Sequence, residues 1–308
     1  MRINHLISLI IIGISISACS SSNKTIKQTK IIKKTIRDTV YVEKAKSLGP
    51  NTVLSAVLKD YTVKDDYYPA QGQDDRQKFL IIHYTALAND KSYHVLTNQS
   101  VSSHYLVNDK DDKNIDVLVS ENKRAWHAGV SAWKGRTNIN DSSIGIEIVN
   151  PGYSVKNGKK VFYPFPEYQF KKVAALAENI VERYKIDPTY VLAHSDVAPQ
   201  RKEDPGAFFP WKRLYEEYKI GAWYNEIDKY HFMKQFQPSR KNTRDFILSY
   251  QKELSKYGYE VAEDGVWGDQ MKRVTMAFQL HFRPSNYSGE LDAETWAILK
   301  ALNKKYRD

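Results

Sequence analysis

The sequence predicts an α/β fold, a mixed central sheet flanked by helices, followed by a small all-α three-helix domain. Three observations carry this. Residues 78–83, 143–149 and 190–194 are short apolar runs with the length and β-branched character of buried strands. Between the last two, Val173, Leu176, Ala177, Ile180, Val181 and Tyr184 recur at helical spacing. Beyond Trp223 only helical patterns remain.

Taken in chain order, Arg2 and the apolar run 6–18 read as an export signal, since a membrane-spanning helix needs about 20 apolar residues. The run closes on Ile16-Ser17-Ala18-Cys19, small residues before a thiol. Cys19 is the only cysteine, so no intrachain disulfide forms, and a free thiol in an oxidising compartment is a liability unless modification consumes it. The segment resembles a bacterial lipobox, with Ile16 in place of the commoner Leu. That resemblance implies acylation of Cys19 (a palmitate-bearing lipoprotein) and, with Ser20 next, an outer-membrane address facing the periplasm.

Residues 19–47 are rich in Ser, Thr and Lys without a sustained apolar face, and read as a basic flexible tether. The net charge of +10 would by itself suggest a nucleic-acid partner. Its distribution argues against one. Eight cations stand against only Asp38 and Glu43 in the tether, so most of the excess lies there, where it suits an anionic membrane or the cell wall, or serves as a solvated spacer. Over the whole chain, 42% hydrophobic and 27% charged residues exclude wholesale disorder.

The folded part is expected from residue 48, with one domain over 48–224 and a second over 225–308. Strand, helix and strand in succession predict a right-handed crossover. Asp187-Pro188 stops the helix before the 190–194 run. In the second domain Phe246, Ile247, Tyr250, Leu254 and Tyr257 mark a helix closed by Gly258. Val274, Ala277, Phe278 and His281 mark another, and Asp292 N-caps a third carrying Trp296, Leu299 and Leu302.

The densest chemical signal is residues 192–206, Leu-Ala-His-Ser-Asp-Val-Ala-Pro-Gln-Arg-Lys-Glu-Asp-Pro-Gly. His194 and Asp204 meet at one metal if the loop folds back; read alone, a strand-end His is more often a satisfied core residue than a ligand, and Asp-Pro-Gly is an ordinary turn. His83 and Glu147 change the balance, because both sit on apolar strands where such groups are costly unless partnered. Two His and one carboxylate would leave a tetrahedral Zn²⁺ one open position, the composition of a hydrolytic site.

With Ile81-Ile82-His83-Tyr84-Thr85, Trp126-His127-Ala128-Gly129 and Ser143-Ile144-Gly145-Ile146-Glu147, this stretch resembles the zinc N-acetylmuramoyl-L-alanine amidases of the AmpD/AmiD type. The resemblance implies one Zn²⁺ held by His83, His194 and Asp204, with Glu147 and Lys202 as catalytic residues, acting on peptidoglycan and muropeptides. Residues 258–268 and 289–296 resemble a three-helix peptidoglycan-binding domain, with Trp267 and Trp296 expected mainly in its core.

His127 is read either as a substrate contact or as a hydrogen-bonded loop residue. Arg136, Asn138 and Asn140 are candidate contacts to an acidic stem peptide. His104 resembles a structural residue of the family's second strand, and His94, His231 and His281 carry no partner signal. Two rivals remain at this level, a non-catalytic peptidoglycan-recognition lipoprotein and a structural tether between membrane and wall.

Overall fold

The computed structural model describes residues 56–63 and 68–308. The export signal, Cys19 and the tether lie outside the described residues. By contacts the chain divides at Gln73/Asp74. The first unit shows an antiparallel pair, β1 (Ala56–Leu58) and β2 (Tyr61–Val63).

In the second unit the strand expected at 78–83 forms as β3 (Phe79–Tyr84); helix α1 (Asn89–Asn98) and two further strands, β4 (Tyr105–Val107) and β5 (Asp116–Val117), follow it. The small pair β6 (Ala132–Trp133) and β7 (Arg136–Thr137) precedes β8 (Ser143–Ile148). A hairpin, β9 (Tyr153–Lys156) and β10 (Lys159–Phe162), leads into α2 (Glu167–Tyr184), then β11 (Val191–Ala193) and the single turn α3 (His194–Val197). The central sheet runs β11-β3-β8-β4-β5; the first four strands are parallel and β5 is antiparallel, so the sheet is mixed as expected.

Leu80, Ile81, Ile82, Ile144 and Ile146 are wholly buried, and burying each such side chain stabilises the fold by roughly 1.5–3 kcal/mol. α2 lays Phe170, Val173, Ala174, Ala177 and Ile180 into this core and ends with Lys185 in the left-handed region, just before Asp187-Pro188. Among the described residues no helix is long and apolar enough to cross a membrane.

The C-terminal part begins with α4 (Trp211–Tyr218) and α5 (Glu226–Met233), followed by the three expected helices, α6 (Arg244–Tyr257), α7 (Asp269–Phe282) and α8 (Ala293–Tyr306). Asp292 caps α8 by accepting the Thr295 N–H at 2.9 Å. Trp267 and Trp296 are half-buried against the core; Trp296 meets Phe232, Phe236 and Phe246. One hydrophobic core runs from the sheet into these helices. At their junction Gly258 ends α6 with φ +151°, and a Cβ there would lie 2.5 Å from the Trp133 ring. Only glycine allows both that backbone and that approach.

Candidate active site

Parallel pairing of β3 with β8 sets His83 directly beside Glu147. Pairing of β11 with β3 carries the chain to His194, the first residue of α3, on the other side. The loop after α3 then folds back, with Ser195 N–H donating to the Asp204 carbonyl at 3.0 Å. Three side chains far apart in sequence therefore converge. His83 Nδ1 lies 3.0 Å from His194 Nδ1 and 3.0 Å from Asp204 Oδ2, and His194 Nδ1 lies 3.1 Å from the same oxygen. All three residues are buried.

The far side of each ring is also held. His194 Nε2–H donates to the Ala128 carbonyl at 3.1 Å, and since a carbonyl only accepts, Nδ1 is left with its lone pair facing the cluster. His83 Nε2 is 3.0 Å from His127 Nδ1, and His127 Nε2 is 3.0 Å from Ser143 Oγ. With protons donated from His83 to His127 and from His127 to Ser143, His83 Nδ1 also presents a lone pair. Gly145 makes room for this relay, because a Cβ there would meet the His127 ring at 2.6 Å.

Burial, reinforced by His194 and opposed by Asp204, pushes His83 down to about 4, so the ring is neutral at physiological pH. Burial alone would raise Asp204, but His194 and His83 overcome it and hold the carboxyl well below the usual range, ionised. Two imidazole Nδ1 atoms and a carboxylate oxygen, each aimed at one point, form a donor set that fits a divalent ion such as zinc.

Glu147 and Lys202 line the same cavity of about 230 Å³, together with His127, His194, Asp204 and Trp126. Glu147 Oε2 is enclosed and has no hydrogen-bond partner among the described residues. Burial, with the Asp204 charge, pushes Glu147 up to about 8 against the opposing pull of Lys202. A carboxyl so placed is poised to exchange a proton.

Arg136, Asn138 and Asn140 lie outside the lining of this cavity. Asn140 is buried and its Oδ1 accepts the backbone N–H groups of His127 (3.1 Å) and Ala128 (2.8 Å), holding the loop behind His83. Asn138 borders a neighbouring groove of about 860 Å³ that shares Trp126 with the cavity. Arg136 is exposed and lines a separate depression with Glu121 and Arg124. His127 is buried with both nitrogens committed, the arrangement of a residue that orients His83. His104 is wholly buried, accepts the Gly145 N–H at 3.1 Å and lies 3.1 Å from the Lys123 carbonyl. Sequence reading missed Arg201, which donates to the Ala128 and Val130 carbonyls and pins the loop that His194 bonds; its place beside Lys202 was the available signal.

Comparison with known proteins agrees with this geometry. The family model for N-acetylmuramoyl-L-alanine amidase matches residues 73–207, and that for a putative peptidoglycan binding domain matches 243–299. Over 244 residues the chain is 46% identical to N-acetylmuramoyl-L-alanine amidase AmiD of Escherichia coli (strain K12), spanning 77% of this chain and 86% of that protein. The chain belongs to this amidase family. The amidase superposes on the E. coli AmiD complex with the substrate anhydro-N-acetylmuramic acid-L-Ala-D-gamma-Glu-L-Lys at a TM-score of 0.74, with 44% identity over 81% of this chain and 97% of that one. Against AmpDh3 of Pseudomonas aeruginosa in complex with anhydromuramic pentapeptide the TM-score is 0.71, with 39% identity over 82% and 99% of the two chains.

Proposed function

We propose that this amidase hydrolyses the amide between N-acetylmuramic acid and the L-alanine of the stem peptide in peptidoglycan or muropeptides. The observation that carries the reading is the convergence of His83 Nδ1, His194 Nδ1 and Asp204 Oδ2 beneath a cavity that also contains Glu147 and Lys202. Zn²⁺ held by those three atoms would supply a Lewis acid that polarises the scissile carbonyl and makes water acidic enough to attack near neutral pH, and its charge would draw Glu147 back toward the ionised form.

The chain's own groups do the rest. Glu147 Oε2, free of other partners among the described residues, takes the proton of the attacking water and returns it to the departing alanine nitrogen. The Lys202 ammonium faces the negative charge that develops on the carbonyl oxygen. Trp126, half exposed at the cavity rim, offers an apolar face to the substrate. A recognition-only protein needs neither the Glu147 base nor the Lys202 cation, which favours the catalytic reading.

Mass analysis of products from purified sacculi tests it. Free stem peptides beginning with L-alanine are expected, lost on chelation and restored by Zn²⁺; full cleavage by metal-free protein would overturn the reading.

We also propose that Cys19 carries a lipid anchor in the outer membrane, with the active domain in the periplasm, the basic run 24–46 adding attraction to anionic lipid. The support is the Ile16-Ser17-Ala18-Cys19 segment and the lone thiol. In cell fractionation Cys19→Ser should move the protein from the membrane to the soluble fraction, and an unchanged membrane share would refute the anchor.

A further inference from the structure

The turn that bears His194 is tied to the C-terminal helices through one buried carboxylate. Asp196, two residues beyond His194, is 1% exposed and lies between the two halves of the chain. Its Oδ2 accepts the Ala193 N–H at 2.8 Å, fixing the entry to α3, and accepts His281 Nδ1–H, from α7, at 2.6 Å. Its Oδ1 accepts the Tyr259 hydroxyl, just past α6, at 2.5 Å. His281 is itself clamped, its ring stacked on Trp211 and on Phe282 with both centroids 3.9 Å away, and its Nε2 is buried with no partner among the described residues. The Nδ1–H bond to Asp196 is thus the one polar contact that this imidazole makes among the described residues.

We propose that His281 and Tyr259 are positioning residues for the metal centre: through Asp196 they hold the α3 turn so that His194 Nδ1 faces His83 and Asp204. A buried carboxylate requires its donors, and three of them converge here, one from the ligand-bearing turn and two from the C-terminal helices. Losing one leaves the carboxylate short of a donor, and what it holds on its other side is the turn carrying His194. Outer partners of metal ligands set ligand orientation, and their loss typically weakens metal binding about 10- to 100-fold. The C-terminal helices then act as part of the scaffold of the metal centre in addition to any wall binding. This inference rests on the zinc-site reading above.

Zinc affinity of the metal-free full chain, measured by competition with a chromophoric chelator, tests it independently of turnover. His281→Phe keeps the aromatic stack and removes the N–H; it is expected to weaken zinc binding about tenfold or more. His281→Asn returns an N–H near the Nδ1 position and should recover most of the wild-type affinity. Tyr250→Phe removes a buried hydroxyl of the same helices, 3.4 Å from Thr275 Oγ1 and away from Asp196, and should leave affinity unchanged. If His281→Phe does not fold, Tyr259→Phe reads the same clamp, with weakened zinc binding expected. Wild-type affinity in the His281→Phe or Tyr259→Phe variant, or equal weakening in His281→Asn and His281→Phe, would overturn the inference alone. Failure of the wild-type chain to bind zinc would overturn the metal site as well.

Discussion

Glu147→Gln is expected to lower turnover by about 10²- to 10⁴-fold, the range that a positioned general acid–base group contributes. The substitution keeps the shape of the side chain and removes only its capacity to carry a proton. Zinc content and muropeptide binding should persist, because the cluster of His83, His194 and Asp204 does not include this carboxyl. Stability separates this outcome from simple unfolding. In the metal-free protein burial pushes Glu147 up to about 8, whereas the unfolded chain releases that proton near 4.5. Between those values the folded chain retains a proton that the unfolded chain has lost, so wild type loses stability as pH rises through this window. Gln has no proton to lose. The variant should match wild type near pH 4 and melt higher than wild type above pH 8, while being nearly inactive. A variant that turns over at the wild-type rate would remove Glu147 from the mechanism.

His83 and Glu147 were legible because each is a costly group on a run of apolar β-branched residues, and parallel strands in register make such residues neighbours. His194 and Asp204 were legible from the compact loop between them. The hold of Asn140 on the loop was not legible because it is tertiary, two backbone N–H groups more than ten residues upstream that no local pattern announces. His281 offered still less, since its partner Asp196 is 85 residues away. The β9–β10 hairpin was overlooked although a signal existed: Asn157-Gly158 both take positive φ, the requirement of a tight hairpin turn. α1 and α5 lacked the signal altogether. α1 buries only Ser92 and Leu96 and α5 buries nothing fully, so neither shows an apolar stripe.

Asp204→Asn should abolish both zinc retention and turnover, and it discriminates between charge and shape at the cluster. Asp204 provides the only negative charge among the three donors, beside the His83 ring that burial keeps neutral and the buried His194 ring. A dication left with two neutral rings and an amide would give up its hydration without a compensating anion. Wild type should therefore melt at a higher temperature when zinc is added, because a ligand that binds only the folded chain stabilises it by mass action. The Asp204→Asn variant should show no such rise at the same zinc concentration. Its metal-free melting temperature supplies the control, since a variant that folds as well as metal-free wild type and yet ignores zinc has lost the site and not the fold. An undiminished zinc-induced rise in the variant would place the metal elsewhere, and with it the water that Glu147 is held to activate.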